Sequence, residues 1–298
     1  MQVNFFKCLN CGGADVQVSE KNWGCRQCNT EYPLEQGIPV IVRNWNVHKD
    51  ELEQAKAVKP GWYLEEQPAE QGSPWRHHIK KRRAYIQGAL DAHLKSRGLD
   101  RVTNLLDLGC GDGNHLEYLQ NYADNIYGSD YNLVRLVRSN ARGLSATLFL
   151  ADILDYPAQD HFFDIVFFHH VIEHIQQDGD ALKTIYRILK PNGLLVLGTP
   201  NEGAWWWQLA YKLQPETLAS TDHVHFYTSS TLSILIREAG FEIKTVKHIG
   251  WGPPHWGWDS RIRKYKWVDD IFEFFGRIFI PHQASSLYVL AAKPENGK

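Results

Sequence analysis

The chain has 298 residues, 43% of them hydrophobic and 22% charged, and a net charge of −2. This composition excludes a disordered or fibrous chain and gives length enough for one large core plus a small module, while the near-neutral balance gives no global pull toward nucleic acid. No apolar run approaches the length of a membrane span, and the first residues lack the charged start and apolar core of a secretory signal, so the expected location is cytoplasmic, with no stable membrane insertion.

Four of the five cysteines come first along the chain. Cys8-x-x-Cys11 and Cys25-x-x-Cys28 are separated by 13 residues, and each knuckle offers two thiolates at a turn. Two such knuckles read as a tetrahedral zinc site with ligands Cys8, Cys11, Cys25 and Cys28. Disulfides are disfavoured in a cytosolic chain, and paired knuckles favour metal over a redox dithiol. All four positions are filled by protein, so the zinc is expected to be structural and to supply folding energy to a module too small for a core of its own. The stretch that follows, with Tyr32-Pro33 and Gly37-Ile-Pro-Val40, resembles the tail of the Trm112-like zinc-ribbon family. Residues 1–45 are therefore expected to form a zinc ribbon.

Residues 46–74 are polar and carry Pro60-Gly61, Pro68 and Gly72-Ser-Pro74. They read as linker and loose helix, lying partly over a ligand site in the domain that follows. Two basic runs, 76–83 and 261–266, read as solvated helix faces.

The stretch Leu105-Leu-Asp-Leu-Gly-Cys-Gly-Asp-Gly113 carries the main signal. An apolar run feeds three glycines at alternate positions, and a helix-compatible segment follows. That order predicts strand, tight turn and helix. Glycine is needed where φ is positive and where a ligand must approach the backbone, and a helix start offers N–H groups to it. The dinucleotide pattern G-x-G-x-x-G/A fails, because Asn114 stands three places after Gly111. Cys110, within the turn, reads as a small packing residue.

Further strands are expected at 125–130, ending in Asp130, at 147–152, ending in Asp152, at 162–169, at 194–199 after a Pro-Asn-Gly turn, and near 240–246 and 286–293. A carboxylate at a strand's end can accept both hydroxyls of a ribose, and it can also cap the next helix. Strands alternating with helices imply a parallel sheet with helices on both faces, whose ligands bind beyond the carboxyl ends of the strands.

The motif Asp107-x-Gly-x-Gly-x-Gly and the acids that follow resemble those of the class I S-adenosylmethionine (SAM) methyltransferases, in the broad group that includes the ubiquinone-biosynthesis enzymes. The resemblance covers about residues 75–298. It implies a doubly wound α/β fold with a mainly parallel, seven-stranded Rossmann-like sheet, preceded by the small zinc-ribbon module. It also implies SAM contacts from Asp107, Gly109, Gly111, Gly113, Asp130, Tyr131, Asp152, Ile153 and His169. Free Trm112-like proteins bind and activate methyltransferases; here the ribbon would be fused to one.

Methyl transfer from a sulfonium needs an acceptor held in line and, for a hydroxyl or protonated amine, a base. The candidates are His170, Glu173 and His174, with His225 from a later loop. On a helix starting after the fourth strand, His170, Glu173 and His174 fall at i, i+3 and i+4 on one face. Three readings stand open: local packing, a general base at His174 or His170, and a divalent metal held by His170, Glu173 and His174 with help from His223 or His225. Histidine stands where related magnesium sites have a first glutamate, which shifts such a site toward zinc, manganese or iron.

Aromatic-rich insertions at 201–227 and 249–285 are expected to build the acceptor pocket. Seven of the 11 tryptophans fall in or just after their aromatic runs, and flat apolar faces suit a sugar ring, a quinone ring or a lipid-linked acceptor. The same side chains would equally pack a lid. The segment 271–280 reads as an amphipathic helix that is buried or at a dimer contact, with contact to a membrane surface or a partner as the alternative. The leading expectation is O- or N-methylation of a small-molecule, glycan-linked or lipid-linked acceptor. Methylation of rRNA or tRNA, docked through the ribbon, and a non-catalytic SAM-binding scaffold are the alternatives. No oligomeric state follows from the sequence.

Overall fold

The computed structural model describes residues 3–66, 70–219 and 221–295; Pro68, part of the expected linker, lies outside them. Four short strands open the chain: β1 (Val16–Val18), β2 (Asn22–Cys25), β3 (Glu31–Glu35) and β4 (Ile38–Ile41). Helices α1 (Trp45–Val58), α2 (Pro60–Leu64) and α3 (Arg76–Ser96) follow. The alternating part then runs β5 (Val102–Leu108), α4 (Leu116–Leu119), β6 (Ala123–Asp130), α5 (Leu133–Ala141), β7 (Ala146–Ala151), β8 (Phe163–His169), α6 (Asp178–Ile188) and β9 (Leu189–Pro200). It closes with α7 (Trp205–Leu213), α8 (Pro215–Ala219), α9 (Ser229–Glu238), β10 (Glu242–Ile249), α10 (Trp256–Ile262), α11 (Lys266–Phe279) and β11 (Ser286–Ala292).

The seven later strands lie in the order β7-β6-β5-β8-β9-β11-β10. The first five are mutually parallel, whereas β11 runs antiparallel to both β9 and β10. This is the mainly parallel α/β sheet that the motif order implies. One face is covered by α3, α4 and α5, which bury Ile86, Leu90, Leu116, Leu119 and Leu136. The other is covered by α6 and α9, which bury Leu182, Ile185, Leu232 and Ile236.

The N-terminal ribbon extends this sheet. Its strand β4 pairs in parallel with β7, Val40 opposite Leu150 and Ile41 opposite Ala151, so that 11 strands form one sheet. Phe5, Phe6, Trp23 and Tyr32 are fully or almost fully buried, with Phe5 stacked on Phe149 at 4.6 Å and edge-on to Tyr127 at 5.2 Å. Large aromatics buried in this way contribute about 1.5–3 kcal/mol each, so the ribbon is welded to the larger core by packing as well as by strand pairing. Among the described residues no helix is long and apolar enough to cross a membrane.

The stretch read as linker and loose helix is largely helical over its described residues. Asn44 caps α1 by accepting from the Val47 N–H. His48, on α1, lies on Tyr131 with ring centroids 3.9 Å apart and its Nε2 3.1 Å from the Tyr131 carbonyl. Asn132 donates to the Tyr63 carbonyl, Arg138 bonds the Leu64 carbonyl, and Lys59 bonds the Thr221 carbonyl. Helices α1 and α2 thus lie as a strap across the carboxyl edge of the parallel strands, where the sequence places its ligand site.

Candidate active site

The turn after β5 bends through Gly109, Gly111 and Gly113, with φ of +80°, +53° and +78°. Two of them also lack room for a side chain: a Cβ on Gly109 would lie 2.2 Å from Val171 Cγ2, and one on Gly113 would lie 2.4 Å from Ser139 Oγ. Side chains here are excluded both by the left-handed backbone and by overlap. The Asp130 carboxylate ties this turn to the next strand, accepting the Gly111 N–H on Oδ2 and the Asn132 N–H on Oδ1, each at 2.8 Å. Asn132 in turn caps α5. Asp107 is buried beneath the turn, where burial, helped by the Asp130 charge, pushes its carboxyl well above the usual range. Its Oδ2 has no hydrogen-bond partner among the described residues. Asp152 caps the turn Ile153–Asp155 by accepting from Leu154 N at 2.9 Å.

These groups surround a cleft of about 980 Å³ lined by Gly109, Asp130, Tyr131, Asp152, Ile153 and His169, among others. Asp107, Gly111 and Gly113 shape its floor without lining it. A glycine turn that crowds out Cβ atoms, a strand-end carboxylate and a buried acid lacking a protein partner form a donor set that fits an adenosyl cofactor with a charged tail.

A second cavity, of about 390 Å³, adjoins the first and shares Ile79, Arg82 and His170 with it. Four indoles line it together with polar and charged groups such as Glu202, His223 and Arg263: Trp207 and Trp256 lie 4.7 Å apart, Trp75 meets Trp256 edge-on at 6.1 Å, and Trp206 donates to the Gly252 carbonyl at 2.8 Å. The tryptophan-rich insertions therefore divide three ways. Trp206, Trp207 and Trp256 line this chamber, Trp251 is buried, and Trp205, Trp258 and Trp267 are exposed.

Between the cavities the structure corrects one sequence expectation. No α-helix begins after β8: His170 has φ +54°, the turn Ile172–His174 is 3₁₀, and α6 starts only at Asp178. His170, Glu173 and His174 therefore do not share a helix face. His170 Nδ1 still lies 3.2 Å from Glu173 Oε1, and Glu173, almost fully buried, accepts a 3.0 Å bond from Thr199 Oγ1. His174 turns instead to Asp222, with Nδ1 2.7 Å from Oδ1. His223, 4.8 Å from His174 by ring centroid, bonds Glu202 at 2.7 Å through Nδ1. Burial works against charge on His223, yet the Glu202 carboxylate raises its pKa overall. The side chains whose ligand atoms come within 4.8 Å of one another are Glu173, His174 and His223, so His223 stands where His170 was expected. His225 lines neither cavity; its Nε2 lies 3.2 Å from the Gln176 carbonyl and 3.6 Å from Asp178.

The sequence reading missed Arg82, which it placed on a solvated face. Its Nε donates to Tyr288 Oη at 2.6 Å, and its Nη2 reaches His169 Nε2 at 2.8 Å and His170 Nε2. A guanidinium only donates, so both imidazoles accept there. Burial, with the Arg82 charge adding to it, holds both below the ordinary histidine range. A signal existed: His78, Arg82, Ile86, Leu90 and Leu94 follow one another at intervals of four, and all but Arg82 are buried apart from it on the same stripe of α3. Asp222, Glu202 and Tyr288 were also missed, and no local motif marks them.

In the cysteine ribbon, Cys8 and Cys28 sulfurs lie 3.6 Å apart, as do those of Cys11 and Cys25. This is too far for a disulfide and close to the edge of about 3.8 Å that a tetrahedron with zinc–sulfur bonds of about 2.3 Å requires. Tyr32 Oη sits 3.3 Å from Cys8 Sγ and accepts the Leu9 N–H. Hydrogen bonds from Thr30 bring the Cys28 thiol down to about 6. The tetrad could hold zinc.

A family model described as a methyltransferase domain matches residues 75–246. A probable S-adenosylmethionine-dependent methyltransferase of Mycolicibacterium smegmatis is 24% identical over 141 residues, 47% of this chain and 52% of that protein. A ubiquinone biosynthesis O-methyltransferase of Cereibacter sphaeroides is 29% identical over 57% of this chain and 70% of that protein. The chain spans about half the length of the first of these relatives. In fold it is similar to a putative sarcosine dimethylglycine methyltransferase from Galdieria sulphuraria, with a TM-score of 0.51 at 16% identity over 83% of this chain and 99% of that one.

Proposed function

The chain belongs to the methyltransferase-domain family, and from that premise we propose that it uses SAM to methylate an oxygen or nitrogen of a small-molecule, sugar-linked or lipid-linked acceptor. The observation that carries this reading is the junction of the two cavities at Ile79, Arg82 and His170. A cofactor in the glycine cleft would present its methyl toward an acceptor in the tryptophan chamber. SAM supplies a methyl already activated by its sulfonium. The chain's contribution is to hold, orient and deprotonate. Asp130 would take the ribose hydroxyls with its remaining lone pairs, Asp152 and Ile153 would border the adenine, and the glycine turn would face the polar tail. The indole walls would hold the acceptor in line and exclude water.

The acceptor's proton would pass to His174. Asp222 beside Nδ1 fixes the tautomer and stabilises the imidazolium. His169 and His170 accept from Arg82, so they position rather than take the proton. One observation favours a second reading: Glu173, His174 and His223 converge, and both imidazoles are oriented by carboxylates, as metal-bound histidines commonly are. A nitrogen-rich set of this kind suits zinc, manganese or iron, which would polarise the acceptor oxygen.

The ribbon is proposed to bind structural zinc through Cys8, Cys11, Cys25 and Cys28, and the protein to work in the cytoplasm. Native mass spectrometry of the purified protein tests these assignments together. One zinc plus SAM or its demethylated product is the expected excess mass. A second metal, lost in His174→Ala, would replace the base by the metal reading. No nucleoside mass, even with SAM added, would remove the methyltransferase reading.

A further inference from the structure

Helix α11 carries its amphipathic pattern inside out. A surface helix ordinarily turns its apolar stripe inward and its charges outward. Here Trp267, Ile271, Phe274, Phe275 and Ile278 form one stripe at i, i+4, i+7, i+8 and i+11, and all five are exposed, Trp267 at 66% and Phe274 at 61%. The inward side holds Asp269, at 1% exposure, which is bonded by Arg263 and Lys81, together with Gly276 packed against Trp251 and Glu273 facing the Gly250 N–H. Trp258 on α10 and Tyr265 at the N-cap of α11 are exposed as well. Contiguous apolar exposure of this kind marks an interaction surface.

The charges around the stripe are sorted in the same way. Arg261, Lys264, Lys266 and Arg277 are exposed. Of the acids in the same stretch, Asp259 and Asp269 are buried against Arg263, Glu273 faces inward, and Asp270 is paired with Lys81 and Lys266. The outer face is thus aromatic and aliphatic with a cationic rim. Trp258, Tyr265 and Trp267, each with a polar handle, gather toward one end, and the Phe and Ile residues follow.

We propose that the α10–α11 face docks in the plane of an anionic lipid surface, with the α11 stripe at the boundary between headgroups and acyl chains and the four exposed cations on the headgroups. A second copy of the chain fits less well. Two copies of α11 paired antiparallel about a two-fold axis would set Lys266 of one near Arg277 of the other, and the partly exposed Asp270 is already shared between Lys81 and Lys266 of its own chain. The docking rests on this surface alone and not on the methyl-transfer reading. Helix α10 also supplies Trp256 to the tryptophan chamber, which brings the chamber close to the lipid.

The test is flotation of the full-length protein with vesicles of phosphatidylcholine, with and without phosphatidylglycerol, at low and high salt. Wild type is expected to float with the phosphatidylglycerol vesicles and to be partly released by salt. The triple variant Ile271→Ser, Phe274→Ser, Phe275→Ser is expected to bind at least about tenfold more weakly, with its thermal unfolding unchanged because all three side chains are exposed. Lys264→Glu with Lys266→Glu is expected to lower affinity for the anionic vesicles by about fivefold or more per position and to leave binding to neutral vesicles unchanged. Failure of wild type to float, or unaltered flotation of the triple variant, overturns the proposal. So does a concentration-dependent dimer that the triple variant abolishes, which would assign the face to a second copy.

Discussion

Arg82 shows how one residue can organise a site that its neighbours in sequence do not announce. Its guanidinium occupies His169 and His170 as acceptors, while His174 is held by Asp222 and is the proton acceptor of the proposed reaction. His174→Ala is therefore expected to lower kcat by about 10²–10⁴-fold, with a KM change that is small by comparison. Asp222→Asn should lower kcat in the same direction, because the wrong tautomer is favoured. Steady-state kinetics with an accepted substrate checks both, and equal activity of His174→Ala and wild type would eliminate the base. At Gly109 two costs add: a left-handed backbone disfavoured for other residues by about 1–2 kcal/mol and overlap with Val171 at 2.2 Å. Gly109→Ala is expected to lower the melting temperature and abolish SAM binding in calorimetry. Adding Val171→Ala should recover only part of the stability, since it removes the overlap and leaves the backbone strain.

At the scale of elements, the ribbon and the cofactor cleft are coupled through a strand edge. Strand β4 pairs with β7, and Asp152 follows β7 directly at the rim of the cleft. Arg43, just past β4, holds Asp155 with Nε 2.6 Å from Oδ2. Loss of the ribbon's fold would expose one side of β7 and release that rim. Replacing Cys25 by Ser, or stripping with a chelator the zinc proposed for the tetrad, should lower the melting temperature and weaken SAM binding together. A stripped protein whose ribbon has lost its fold but whose SAM affinity is unchanged would break this coupling. The strap of α1 and α2 was legible only in part. Polar composition with Pro and Gly suggested linker and loose helix, and the helices are fixed by contacts with Tyr131, Asn132 and Thr221, far along the chain. Such tertiary stabilisation regularly overrides weak local propensity.

At the scale of the whole molecule, the interior carries histidines kept neutral by burial. His78 is 5% exposed; burial first, then the nearby Arg263, Arg82 and Lys81 charges, holds its pKa well below the ordinary value. A histidine with a depressed folded pKa contributes fully above its unfolded pKa of about 6.5. Below that pH the unfolded chain binds the extra proton, and stability falls by about 1.4 kcal/mol per pH unit until the folded pKa is reached. His78→Gln is therefore expected to lose stability less steeply than wild type as the pH drops below about 6.5, in urea unfolding at a series of pH values. Parallel curves for the two proteins would show that His78 does not set the slope.

The sequence by itself determined what local chemistry specifies. The glycine turn follows from positive φ and crowding, the strands from apolar runs ending in acids, and the cysteine tetrad from paired knuckles. These features depend on residues close together in the chain, so their spacing carries the geometry. Tertiary structure alone decided the rest. Asp222 and Glu202 reach the histidines from distant loops, Arg82 enters the site because the N-terminal part of α3 reaches the end of β8, and the expected His170–Glu173–His174 face dissolved into a 3₁₀ turn that admits His223. The same division separates the tryptophans. Sequence showed them clustered in the insertions, but whether an indole walls a chamber, packs a helix or faces solvent depends on what the fold brings against it.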